Sequence, residues 1–189
     1  MTAKALLRLS DAFEQTAVWF GRLASWAALA MILVILGDVV LRRYFVIGST
    51  QLQELEWHLH GFLFLSCLGF AYARGSHVRI ELFRENWSDR TKAWVEVLGT
   101  LFFLLPFALA VLYFGFEYFS MSYSYSESSA TSTGLPMRWI IKGVLVLGFG
   151  LLILPGLANL IRSLLWLIGG NVEARAALKV ELSDHQETV

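Results

Sequence analysis

His58 and His60 stand in an otherwise apolar run. Imidazole is an axial ligand for haem and a ligand for transition metals. Such a pair in a membrane segment raises an electron-transfer chemistry. Axial ligands must face each other across a bundle, and residues two apart on a helix point to different faces. His77 and His185 fall elsewhere, and no other apolar segment carries a histidine. Haem binding through His58 or His60 is therefore the alternative reading. Asp38 and Arg42 are four apart, which puts them on one helical face. An intramembrane carboxylate could carry a proton or an ion, but this spacing favours a neutralised arginine. Glu54 and Glu56 follow Thr50-x-x-Gln53, which reads as a capping box opening a helix. The helix dipole favours acids in the first turns, and the two glutamates also offer negative charge to a docking partner. Cys67, the single cysteine, excludes an intrachain disulfide and reads as a small buried hydrophobe. No phosphate-binding loop, serine–histidine–acid set or cysteine cluster is visible. No catalytic, substrate-binding or metal residue and no resident cofactor is predicted.

The elements that position these residues follow from composition. Hydrophobic residues make up 57% and charged residues 16% of 189, against roughly 45–50% and about 25% in soluble chains. The formal net charge is zero, so a nucleic-acid partner is not expected. Apolar segments cover about 18–41, 55–73, 94–116 and 139–168. A bilayer core of about 30 Å needs roughly 20 helical residues, so each qualifies. Segments 101–116 and 144–154 are apolar all round, which a soluble bundle would not tolerate. The first segment lacks a small-residue cleavage site and has a long charged lead-in, so it reads as a retained helix rather than a signal. Pro106 and Pro155 give the third and fourth helices reasons to bend. Gly21, Ser25 and Ala28 on the first helix, and Gly69 and Ala73 on the second, are small-residue faces for close helix packing.

Orientation follows from basic residues. Lys4, Arg8 and Arg22, then Arg74, Arg79, Arg84, Arg90 and Lys92, then Arg162, Arg175 and Lys179 lie on one side; Arg42, Arg43, Arg138 and Lys142 lie on the other. Eleven against four predicts a cytoplasmic N-terminus and C-terminus. The predicted fold is an all-α membrane protein with four transmembrane helices, N-in and C-in. An interfacial amphipathic segment joins helices two and three. Residues 1–170 form one four-helix domain, and 171–189 form a charged cytoplasmic tail. In the amphipathic segment, Val78 to Phe83 enter the acyl boundary while Arg79 and Arg84 meet phospholipid headgroups. Ser88 reads as an N-cap, with Trp87 and Trp94 as interfacial anchors. The serine- and tyrosine-rich stretch 117–138 reads as an irregular or partly helical outer loop.

Several short motifs resemble a known family in order and placement. Leu41-Arg42-Arg43-Tyr44-Phe45 closes the first span and Glu54 opens the second. GFAYARGSHVRIEL ends the second span, with Gly75, His77 and Val78 most distinctive. Glu127-Ser128 and Leu135-Pro136-Met137 precede the fourth span. Over about Trp19 to Leu165 this is similar to the small membrane subunit of tripartite ATP-independent periplasmic (TRAP) transporters. The resemblance implies a non-catalytic scaffold in a bacterial inner membrane, paired with a large elevator-type permease subunit that holds the substrate and sodium sites. It implies a periplasmic binding protein that delivers an organic acid. Arg42, Arg43, His77, Arg79 and Arg84 are then membrane-interface or assembly residues. His58 and His60 lie outside the family pattern.

Overall fold

The computed structural model describes residues 2–76 and 87–183. Among the described residues all regular structure is helical. The chain runs α1 (Ala3–Tyr44), α2 (Thr50–Ala73), α3 (Asp89–Gly99), a π-helical turn (Thr100–Leu104), α4 (Leu105–Ser124), α5 (Trp139–Gly169) and α6 (Val172–Ser183). Among the described residues three stretches are long and apolar enough to cross a membrane: Ala3–Tyr44, Asp89–Ser124 and Trp139–Gly169. α2 is not among them. The predicted amphipathic segment, with His77, Arg79 and Arg84, lies outside the described residues.

α1 is one continuous helix of 42 residues, about 63 Å long at 1.5 Å per residue. That is roughly twice the hydrocarbon core. The charged lead-in and the first apolar segment are thus a single rod. α2 begins one residue earlier than the Thr50 box implies. Ser49 is the N-cap, and its Oγ accepts from the Leu52 amide at 3.3 Å. Thr50 is already helical, and the residue three past the true cap is Leu52, so no reciprocal box bond forms. The cap of α3 is Ser88, whose Oγ accepts from the Thr91 amide at 3.2 Å. α2 closes on Gly75 at φ +64. Ser76 N–H donates to Ala71 C=O and Gly75 N–H to Tyr72 C=O, a Schellman closure that needs a left-handed residue.

Pro106 lies in the first turn of α4, where its missing N–H costs least. Its ring would meet the carbonyl of Phe102 in an unbroken α-helix. The chain widens instead into the π turn, and Leu105 N–H donates to Thr100 C=O. α4 then continues to Ser124, eight residues past the predicted end of the third apolar segment. Phe119, Tyr123 and Trp139 pack together there, with ring centroids 5.3–6.3 Å apart. Ser124 Oγ donates back to the Ser120 carbonyl at 2.8 Å, which satisfies the hydroxyl within the helix. The tail is an ordered helix over its described part. Asn171 Oδ1 accepts from the Ala174 amide at 3.0 Å, and Ala174 and Leu178 are buried.

α1, α2 and α5 pack on one another, α4 packs on α5, and α3 joins at the end near Asp89. The outward faces of α1 and α4 remain apolar, with Trp26, Leu33, Phe107 and Tyr113 well exposed.

Candidate functional site

The packing seam is built by glycines. An ideal Cβ on Gly69 would lie 2.3 Å from the Leu151 carbonyl oxygen of α5 and 3.3 Å from Ala17 Cβ of α1. A Cβ on Gly148 would lie 2.5 Å from the Leu65 carbonyl oxygen of α2. Each helix therefore sets a glycine against the other's backbone, and α2 and α5 approach as close as helices can. Pro155 adds a reason for the first contact. It has no N–H, so the Leu151 carbonyl four residues earlier loses its helical donor. Gly69 brings Cα–H groups to that carbonyl. On α1, Gly21 has no room for a Cβ beside Phe70, and Ala17 and Ala24 are buried. The small face of α1 is therefore 17, 21 and 24. Ser25 is exposed and donates to the Gly21 carbonyl of its own helix at 2.8 Å. Ala28 is half-buried and Ala73 is buried. Cys67 Sγ lies 3.7 Å from the same Gly21 carbonyl.

Polar groups fasten the seam at both ends. Near the start of α1, buried Arg162 of α5 donates to Ser10 Oγ at 3.2 Å and Asp11 at 2.9 Å, and pairs with Glu14. Asn159, one turn back, donates to Glu96 of α3 at 3.0 Å. The sequence counted Arg162 only as a basic residue. A lone arginine in an apolar helix six residues from its end was the available signal, because such a charge needs a partner.

At the opposite end Asp38 and Arg42 pair as their spacing predicts. The Gln53 amide oxygen, turned inward, accepts from Arg42 Nη1 at 3.2 Å and Nη2 at 3.0 Å. Arg43 is exposed. Glu54 faces inward rather than outward as the docking expectation requires. It is 8% exposed. One carboxylate oxygen accepts from the Ser129 hydroxyl, the other from the Leu135 amide at 2.6 Å. These two hydrogen bonds, the Ser129 hydroxyl first, hold its carboxyl below the usual range. Glu54 thus ties α2 to the 125–138 loop. Glu56 is half-buried. Glu127 pairs with Lys142, which holds its carboxyl low as well, and Lys142 Nζ lies 3.7 Å above the Tyr118 ring.

The two histidines are not brought together. His58 Nδ1 lies 2.6 Å from the Glu54 carbonyl, a backbone contact within its own helix. His60 is exposed. Among the described residues no group of three or more His, Cys, Asp or Glu could hold a metal. An open groove of about 1100 Å³ along α4 is lined by Leu109, Leu112, Tyr113, Phe116 and Met121, with Glu117 and three further residues at its polar end. It presents apolar surface and no nucleophile–base set.

A buried seam and apolar outward faces among the described residues suit a membrane component. Residues 31–165 match the model of the family described as Tripartite ATP-independent periplasmic transporters, DctQ component. The chain belongs to this family. As a DctQ component it is a small part of a TRAP transporter. The matched region opens inside α1 and closes inside α5, so it takes in Gly69 and Gly148 but begins after Gly21. No curated protein and no solved structure matches the chain.

Proposed function

We propose that this DctQ component is the fixed scaffold of a sodium-coupled TRAP transporter. In this reading it crosses the bacterial inner membrane four times, with both termini in the cytoplasm. It holds the large permease subunit, in which substrate and sodium bind and a transport domain moves. A periplasmic binding protein delivers an organic acid. The family match over 31–165 carries the reading. Backbone-close packing of α2 on α5 supports it, because a static partner benefits from helices that cannot slide. Arg79 and Arg84 are assigned to inner-leaflet headgroups, Arg42 and Arg43 to the outer boundary, and His77 to the assembly region between the second and third crossings. Glu56 is the outward acid left for the binding protein.

The test is purification of the tagged chain from native membranes in mild detergent, with mass spectrometry of what accompanies it. A stoichiometric large multispan permease is the expected result. Recovery with redox subunits and a Soret band would replace the scaffold with the haem reading. Reversal of Arg79 and Arg84 to Glu lowers the yield of the complex; an unchanged yield and unchanged transport exclude the headgroup role.

A further inference from the structure

Between the lead-in of α1 and the end of α2 lies an open groove of about 470 Å³ lined by Glu14, Gln15, Val18, Trp19, Arg22 and Arg74. Its chemistry is divided. Arg22 and Arg74 are exposed, and neither has a carboxylate partner among the described residues. Arg74 rests its guanidinium 5.8 Å over the Phe70 ring, which holds it at the rim. Glu14 is the one acid in the groove, and it is already bound to Arg162. Trp19 is 58% exposed, the setting of an indole at a membrane–water boundary.

The face that carries Arg22 continues along α1 as an apolar ridge. Trp26, Leu29, Leu33 and Leu36 follow at helical spacing, and all are more than half exposed. A ligand that filled this surface would need a phosphate for two guanidiniums and a long apolar chain for the ridge. Arginine pairs suit phosphate oxygens because each presents several fixed donors.

We infer that this groove is a phospholipid site: the headgroup phosphate is held between Arg22 and Arg74, Trp19 flanks the headgroup, and an acyl chain lies along the Trp26–Leu33 ridge. The inference deepens the scaffold reading, and only the leaflet it assigns, the cytoplasmic one, rests on the proposed topology. The lipid extends the packed surface of α1 on a side that no described helix covers.

The test is native mass spectrometry of the full chain, delipidated in detergent and titrated with phosphatidylglycerol. Wild type retains one lipid. Arg22→Gln with Arg74→Gln weakens retention roughly thirty-fold, the loss of two headgroup-level cations. Arg22→Gln alone weakens it partly, which keeps the test informative if the double variant misfolds. Arg22→Lys with Arg74→Lys retains most of the binding. Lys4→Gln with Arg8→Gln removes equal charge from the same end of α1 and leaves retention unchanged. Equal retention by the arginine-to-glutamine double variant overturns the site. So does inorganic phosphate displacing the lipid, which would mark a free-anion site. So does loss of the lipid on addition of the large permease, with a permease carboxylate cross-linked at Arg22, which would mark a protein contact. Reversed topology would move the site to the other leaflet without abolishing it, so that failure is distinguishable.

Discussion

Gly69 and Gly148 are positions at which one added methyl has no room. At both, the neighbour is a backbone carbonyl, which cannot turn aside as a side chain can. Gly69→Ala and Gly148→Ala should each cost about 1–3 kcal/mol, the range for overpacked interiors, read as a lower unfolding midpoint in detergent. Gly37, with nothing within 4 Å of its Cβ position, is the control. Gly37→Ala should be neutral or stabilising by up to about 1 kcal/mol, the helix preference of alanine over glycine. The sequence made Gly21 and Gly69 visible because small residues at helical spacing in an apolar run have few other uses. It could not separate Ser25 from Ala24, since a one-residue error rotates the face by about 100°. Nor could it join Gly148 to Leu65, because that contact depends on how two helices cross.

At the scale of the element, the helix ends decide the architecture of the 125–138 loop. α4 ends with Ser126 at φ +47, where Glu127 N–H reaches Ser122 C=O and Ser126 N–H reaches Tyr123 C=O. A left-handed position of this kind favours glycine. Ser126→Gly should leave stability unchanged or raise it by up to about 1 kcal/mol, and Ser126→Val should lower it by about 1–2 kcal/mol, both visible in thermal melts. The Glu54 tie adds a pH dependence. Its folded carboxyl titrates below the ordinary value of 4.5, so its contribution is complete above that value and is lost as pH falls through the folded one. Hydrogen exchange at the Leu135 amide, corrected for intrinsic rates, should lose protection as pH drops below about 4.5. Glu54→Gln should weaken that protection at neutral pH and flatten its pH dependence. A pH profile unchanged by the substitution would assign the titration to Glu127 instead. Long apolar runs made the membrane helices legible from sequence, including the start of α5 at Trp139. The extra two turns of α4 were hidden because serine and tyrosine read as loop until Phe119 and Tyr123 meet Trp139.

Over the whole molecule, the buried charged groups Arg162, Asp38 and Glu54 lie towards the two ends, and the close backbone contacts of Gly69 and Gly148 lie between them. Arg162 is the principal fastener at one end. Arg162→Met removes its bonds to Ser10, Asp11 and Glu14 while keeping most of its bulk. It should cost roughly 1–3 kcal/mol, below the full value for a broken buried pair because Asp11 and Glu14 keep access to water. The midpoint of unfolding checks the size. Protease sensitivity of residues 3–15 checks the place. The class of the molecule was legible from composition, and its family from short motifs in order. The Arg162 fan was not, because its partners lie some 150 positions away in the chain.

α1 adds a purely geometrical consequence. A rigid rod about 63 Å long that leaned by five degrees about one tip would swing the other through about 5 Å, a whole helical turn. Lateral pressure from fluid lipid resists such a lean only softly. Arg162 near the first turns of α1 and Gln53 with Asp38 near its last turns set two fixed points far apart, and two widely spaced fixed points define a direction. The angle of α1, and with it the angle offered to whatever docks along it, is therefore set by the chain's own bonds more than by the thickness of the membrane around it.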